Sequence, residues 1–179
     1  MRVTEAKGNV VHRIEGRPAF EVYRDHARAR GIDLKPEEAS RYLVENELGI
    51  IVFDTLKKAR APLSVGSDGQ LSCAAEVPQG ASVCILGGDK SSLVAAAGRA
   101  AREARDRLGG REPAGILLFD CICRGAILEG DFRREIDAVR SVFPTAPIAG
   151  LLTYGEIARY SGRLDGWHNT TAVVAAIPR

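Results

Sequence analysis

The sequence predicts a mixed α/β fold, with helices packed against a largely antiparallel or mixed sheet. Three observations carry this. Short apolar runs bounded by glycine and proline alternate along the chain with longer segments of helical period. An Asp68-Gly69 step separates two extended segments, a hairpin signal because glycine tolerates positive φ. With 179 residues, 45% of them hydrophobic, the chain can bury one good core or two small ones sharing an interface. A single domain over 1–179 is expected. Its natural subdivision falls near residue 60, between an N-terminal helical segment and the main sheet.

Asn9 to Ile14 alternate loosely and form a strand, after which Gly16, Arg17 and Pro18 make a turn with proline at the first helical position. The helix that follows carries Ala19, Val22, Tyr23 and Ala27 at helical spacing, and Gly31 ends it with a left-handed cap. Pro36, Glu37 and Glu38 start a shorter helix that finishes near Asn46, since acidic side chains suit the positive end of the helix dipole. Leu48 to Phe53, rich in isoleucine and valine and bounded by Gly49 and Asp54, is a strand.

The middle of the chain has the pattern of a β-meander. Leu63 to Val65 and Leu71 to Val77 flank the turn at Gly66 to Gly69, and Pro78-Gln-Gly80 leads into Ala81 to Leu86, giving three strands side by side. The period then changes. Asp89 or Ser91 caps a long helix whose Leu93, Ala96, Ala97, Ala100, Ala104 and Leu108 share one face, with Gly109 and Gly110 as its stop. The alanine stripe suits close packing on a sheet.

Ala114 to Phe119 is a nearly continuous apolar run, the pattern of a strand buried on both faces, and it delivers Asp120, Cys121, Ile122, Cys123 and Arg124 at its end. A helix from Asp131 carries Phe132, Ile136, Val139 and Phe143, and Pro144 closes it. Pro147 to Leu152 is another strand, ending in Thr153, Tyr154, Gly155 and Glu156, and Thr170 to Ile177 is the last. Two strand ends therefore present polar groups, the place where α/β sheets commonly bind ligands.

Charge and composition exclude some functions. The net charge of +2 arises from 25 basic and 23 acidic residues spread along the chain, so there is no single-signed field to grip nucleic acid. No apolar run approaches the roughly 20 residues needed to span a bilayer, and Met1 to Arg13 lacks the apolar core of a secretory signal. A cytoplasmic protein is expected. Cys73, Cys84, Cys121 and Cys123 contain no paired CxxC ligands, so neither structural zinc nor a disulfide framework is supported.

The ordered series Cys121, Cys123, Arg124, Gly125, then Pro147-Ile-Ala-Gly150, Tyr154-Gly-Glu-Ile157 and His168-Asn-Thr-Thr171 resembles the C-terminal portion of FIST domains. The stretch Leu71 to Leu86 with its Pro78-Gln-Gly80 step resembles the family's upstream region. Two departures stand out: no N-terminal FIST half is present, and Leu151-Leu152 replaces a common aromatic. The resemblance implies a bacterial sensory module for signal transduction that binds a small ligand such as an amino acid. Its implied partners are an N-terminal FIST half, a signalling output protein or a second copy of itself.

The ligand-binding candidates are Cys121, Arg124, Tyr154, Glu156, His168 and Asn169. Arg124 could clamp a carboxylate through its planar fork or pair with Glu156 or Asp120 to hold two loops. Glu156 could receive an ammonium group and, with Arg124, complement a zwitterion, or it could anchor backbone amides. Tyr154 could stack on a ligand or pack half-buried. Two other classes stay open. Cys121 would serve a cysteine-dependent enzyme if Arg124 supplied the positive charge that lowers its pKa and His168 the base, and His168 would serve a haem-based gas sensor as axial ligand. Apart from that haem, no cofactor and no metal are expected.

Overall fold

A computed structural model describes residues 1–53, 56–160 and 164–179. It divides into two units, Met1–Gly87 and Gly88–Arg179, each with its own apolar core. Together they make a mixed α+β fold of several antiparallel and mixed sheets with packed helices. Asp54, expected to bound a strand, lies outside the described residues. Among the described residues no helix is long and apolar enough to cross a membrane.

In the first unit, β1 (Val3–Lys7) and β2 (Val10–Ile14) form an antiparallel hairpin, and β3 (Arg17–Pro18) pairs back onto β2. Pro18 then caps α1 (Ala19–Arg28), one position earlier than the sequence suggests. The apolar stripe Ala19, Val22, Tyr23 and Ala27 is buried, joined by Phe20. Gly31, at φ +74°, donates to Arg28 O while Ile32 N reaches back to Ala27 O, the left-handed termination that glycine permits. Pro36–Glu38 forms a 3₁₀ turn rather than α-helix, and α2 (Ala39–Glu45) continues from it to an Asn46 cap.

Two sheets close this unit. β4 (Asn46–Phe53) is flanked by β5 (Leu56–Arg60) and, on its other side, by the strand near residue 85. β6 (Pro62–Val65) and β7 (Leu71–Cys73) form the hairpin foreseen at Asp68-Gly69, and β7 pairs with β2. The expected meander is corrected here: β8 (Val83–Gly87) pairs with β4, not with β7. β7 stops at Cys73 because Ala74 N turns to Ala61 O and Val77 plugs the core. The chain thus leaves one sheet before Pro78 and joins the other after Gly80.

The second unit begins with α3 (Lys90–Arg107), whose cap Asp89 accepts from Ser92 N at 2.6 Å. Its innermost residues are Ala97, Gly98 and Ala101, so the buried face is rotated from the Ala96–Ala100–Ala104 line. Gly98 marks the close approach to α5: a Cβ there would stand 3.7 Å from that of Ala138. β9 (Pro113–Cys121) is central, with α4 (Ile122–Leu128) following at once and α5 (Phe132–Val142) after a 3₁₀ turn. β10 (Ile148–Thr153) runs parallel to β9. A hairpin of β11 (Glu156–Tyr160) and β12 (Leu164–His168) precedes β13 (Ala172–Pro178), antiparallel to β9.

Helices cover one face of the β10-β9-β13 sheet. Ile116 and Leu118 meet Ala97, Ala101, Val139 and Phe143 there. The opposite face of β9 is not covered as its apolar run suggests: Leu117 is 38% exposed, and Leu151 and Ile177 on the neighbouring strands more so. The second correction concerns the cysteines. Cys121 ends β9 but Cys123 belongs to α4, and both are buried.

Candidate functional site

Three ionisable side chains meet where β9 ends. Asp120, Arg124 and Glu135 come from β9, α4 and α5, and all three are buried. Arg124 Nε lies 3.2 Å from Asp120 Oδ1 and donates to Glu135 Oε1 at 3.0 Å, and Nη2 pairs with that same Glu135 oxygen. Nη2 also donates to Leu93 O at 2.8 Å, and Nη1 donates to Thr170 O at 3.3 Å. One guanidinium thus ties together α3, α4, α5, β9 and the turn before β13. Two buried carboxylates share this single cation, so burial first, then the neighbouring Glu135, push Asp120 up to about 7.

Glu156 makes a second tie. Its Oε1 accepts from Thr153 Oγ1 at 2.5 Å and its Oε2 from Thr171 Oγ1 at 2.6 Å, joining the end of β10 to the start of β13. Arg124 and Glu156 therefore bind separate protein partners. His168 sits opposite Glu156 in the β11–β12 register, buried, with Nε2 3.2 Å from Ala158 O. Asn169 is buried beside it, whereas Tyr154 is 80% exposed. The hydrogen bond from Cys123, followed by burial, pushes the Cys121 thiol up, opposite to what a thiolate nucleophile requires.

The turn that links these groups is strained. Thr170 adopts φ +53°, a conformation that β-branched residues rarely accept, and its carbonyl is the one held by Arg124. Glu135 escaped the sequence reading. The available signal was a carboxylate set inside the apolar stripe of Phe132, Ile136 and Val139, since a charge at such a position needs a buried partner.

Beside this network a groove of about 260 Å³ runs between α3 and β13. Arg99, Glu103 and Arg107 of α3 stand along one side and Arg159 on the other, with His168 and Arg124 deeper in. Glu103 and Arg107 lie 3.7 Å apart. Among the described residues no group of three or more His, Cys, Asp or Glu side chains is disposed to hold a metal ion.

A family model described as the FIST C domain matches residues 19–159. The chain belongs to the FIST C domain family. No curated protein and no solved structure matches it. The family match starts at the first residue of α1 and ends at Arg159, so this FIST C domain extends over parts of both units. Cys121, Arg124, Tyr154 and Glu156 lie inside the match; His168 and Asn169 lie beyond it.

Proposed function

We propose that this FIST C domain is a sensory ligand-binding module for signal transduction, and that its ligand is an amino acid or a related small acid held in the α3–β13 groove. The observation that carries the reading is the charge on the groove wall: Arg99, Arg107 and Arg159 can receive carboxylate, and Glu103 stands among them to receive an ammonium group. The volume of about 260 Å³ is at the small end of ligand cavities and suits a compact molecule better than a macrocycle.

The groove also reaches something that can respond. Arg124 lines it and holds the Thr170 carbonyl, so a carboxylate that drew on the guanidinium would compete with the bond restraining a strained turn. In this reading the domain needs no cofactor and hands its signal to an output protein in the cytoplasm. Of the six residues nominated from sequence, Arg124 and His168 line this groove, and Cys121, Tyr154, Glu156 and Asn169 do not.

A thermal-shift screen of the purified chain against free amino acids, dicarboxylates and haemin tests this. A ligand at about a hundred times its dissociation constant adds roughly 2.7 kcal/mol to folding stability. Stabilisation by an amino or dicarboxylic acid that is lost in Arg159→Ala is expected. A response to haemin alone, or an acid response that persists undiminished in both Arg159→Ala and Arg99→Ala, would sink the assignment.

A further inference from the structure

β10 is an edge strand: among the described residues its one ladder partner is β9. Ile116 N donates to Pro147 O at 2.9 Å, so alternate residues from Pro147 onward turn their N–H and C=O toward β9, and those of Ile148, Gly150 and Leu152 point away from the sheet. Folded proteins usually guard such an edge with a charge, a proline or a covering segment. The other edges of the larger sheets here are guarded. β1 carries Glu5 and Lys7, β5 carries Lys58, β6 opens on Pro62, Met1 bonds Val83 on the outer side of β8, and β13 closes on Pro178. β10 has no such guard. Its sequence Ile-Ala-Gly-Leu-Leu-Thr holds neither charge nor proline, and Leu151 and Leu152 are 59% and 47% exposed.

The occupant that fits this edge is the same strand from a second copy. Antiparallel pairing of β10 with itself about Gly150 sets Ile148 opposite the second copy's Leu152 and Gly150 opposite Gly150, with the three outward-facing residues of each strand exchanging hydrogen bonds. A lone charge on a strand paired with itself would go unanswered or meet its like, and like charges directly opposite destabilise a sheet. A neutral edge therefore suits self-pairing, whereas a foreign strand could answer charge with opposite charge.

The side chains find places too. Ile148 stands in register with the core residue Ile116 and lines an apolar groove of about 290 Å³ between α5 and β10, together with Leu118, Phe132 and Ile136. The second copy's Leu152, opposite Ile148, faces that groove. On the other face of the sheet Leu151 meets the second copy's Ala149, which continues the exposed apolar surface of Leu117 and Ile177.

We infer that this chain forms a two-fold symmetric dimer in which the β10 strands pair antiparallel, joining two three-stranded sheets into one of six strands and seating Leu152 of each copy in the α5–β10 groove of the other. That groove shares no lining residue with the α3–β13 groove, so the dimer and the ligand assignment stand or fall separately.

The test is sedimentation equilibrium of the full chain at concentrations up to about 100 μM, where twice the chain mass is expected. Leu152→Asp, which sets a charge in the apolar groove of the other copy, should weaken association about a hundredfold while keeping native circular dichroism. Ile157→Asp alters another exposed apolar residue, one outside β10, and should associate like the parent. Ala149→Cys and Leu151→Cys proteins mixed in equal amounts and oxidised should form a disulfide between those two positions, identified by mass spectrometry of the linked peptides. A monomer throughout the concentration range, or a dimer that Leu152→Asp leaves intact, overturns the inference. Equal weakening by Ile157→Asp, or a dimer in which positions 149 and 151 do not join, overturns the strand pairing.

Discussion

Arg124 on α4 and Glu135 on α5 form an ion pair whose side chains are 3% and 0% exposed. Such a pair contributes little net stability over an apolar equivalent, but removing one partner leaves the other charged and unsolvated. Arg124→Ala strands two carboxylates and frees Leu93 O and Thr170 O as well. The expected loss is about 3–5 kcal/mol, read as a lower midpoint in urea denaturation. An unchanged midpoint would show that water reaches the cluster.

Asp120 gives a signature in pH. Its folded pKa of about 7 lies above the ordinary 3.8, so the native state holds a proton that the unfolded chain releases. That contribution is fully present below about pH 4 and is lost as pH rises through 7, and its size is up to about 4 kcal/mol. Urea midpoints measured between pH 4.5 and 8 on the parent and on Asp120→Asn should differ in slope, with the variant the more stable at pH 8.

Thiol accessibility separates the four cysteines. Cys73, Cys121 and Cys123 are buried and Cys84 is partly exposed. Burial pushes Cys73 up to about 12, and Cys121 is also raised. Native protein treated with iodoacetamide at pH 7.5 should be modified at Cys84 first, by mass spectrometry of the peptides. Rapid selective alkylation of Cys121 would revive the cysteine-enzyme alternative.

Gly150 is required by space and not by backbone conformation. A Cβ there would fall 2.3 Å from Leu118 O, a backbone atom of the paired strand that cannot swing aside. Gly150→Ala should separate β10 from β9 locally and cost about 1–3 kcal/mol, checked by chemical denaturation and by faster amide exchange at Leu118 and Leu151.

Local chemistry made much of the fold legible. The stripe of α1, the Gly31 termination, the Asp89 cap and the Asp68-Gly69 hairpin all depend on residues close in sequence, where propensity and spacing act directly. The misreadings concern choices made at a distance. Nothing near Val83 states that its strand will pair with β4, and Cys121-Ile-Cys123 reads as continued strand until burial of Cys123 and Arg124 draws the chain into α4. The β11–β12 hairpin was hidden because Glu156 to Tyr160 mixes charged and apolar residues without clean alternation. At the site, Arg124 stood out by type and position, but its role depends on Glu135, and only the packing of α4 and α5 brings those two together.

The turn at Thr170 gives the second unit the character of a cocked spring. Holding a threonine in a left-handed backbone conformation costs about 1–3 kcal/mol, and that energy persists only while surrounding bonds oppose its release. The Arg124 bond to Thr170 O is one of those restraints, and Glu156 clasps the next residue, Thr171. Stretching or neutralising either restraint lets the backbone relax downhill, carrying the first residue of β13 with it. The strain at Thr170 is thus opposed by two side chains from distant parts of the chain, Arg124 of α4 and Glu156 of β11, and not by the sequence of the turn itself.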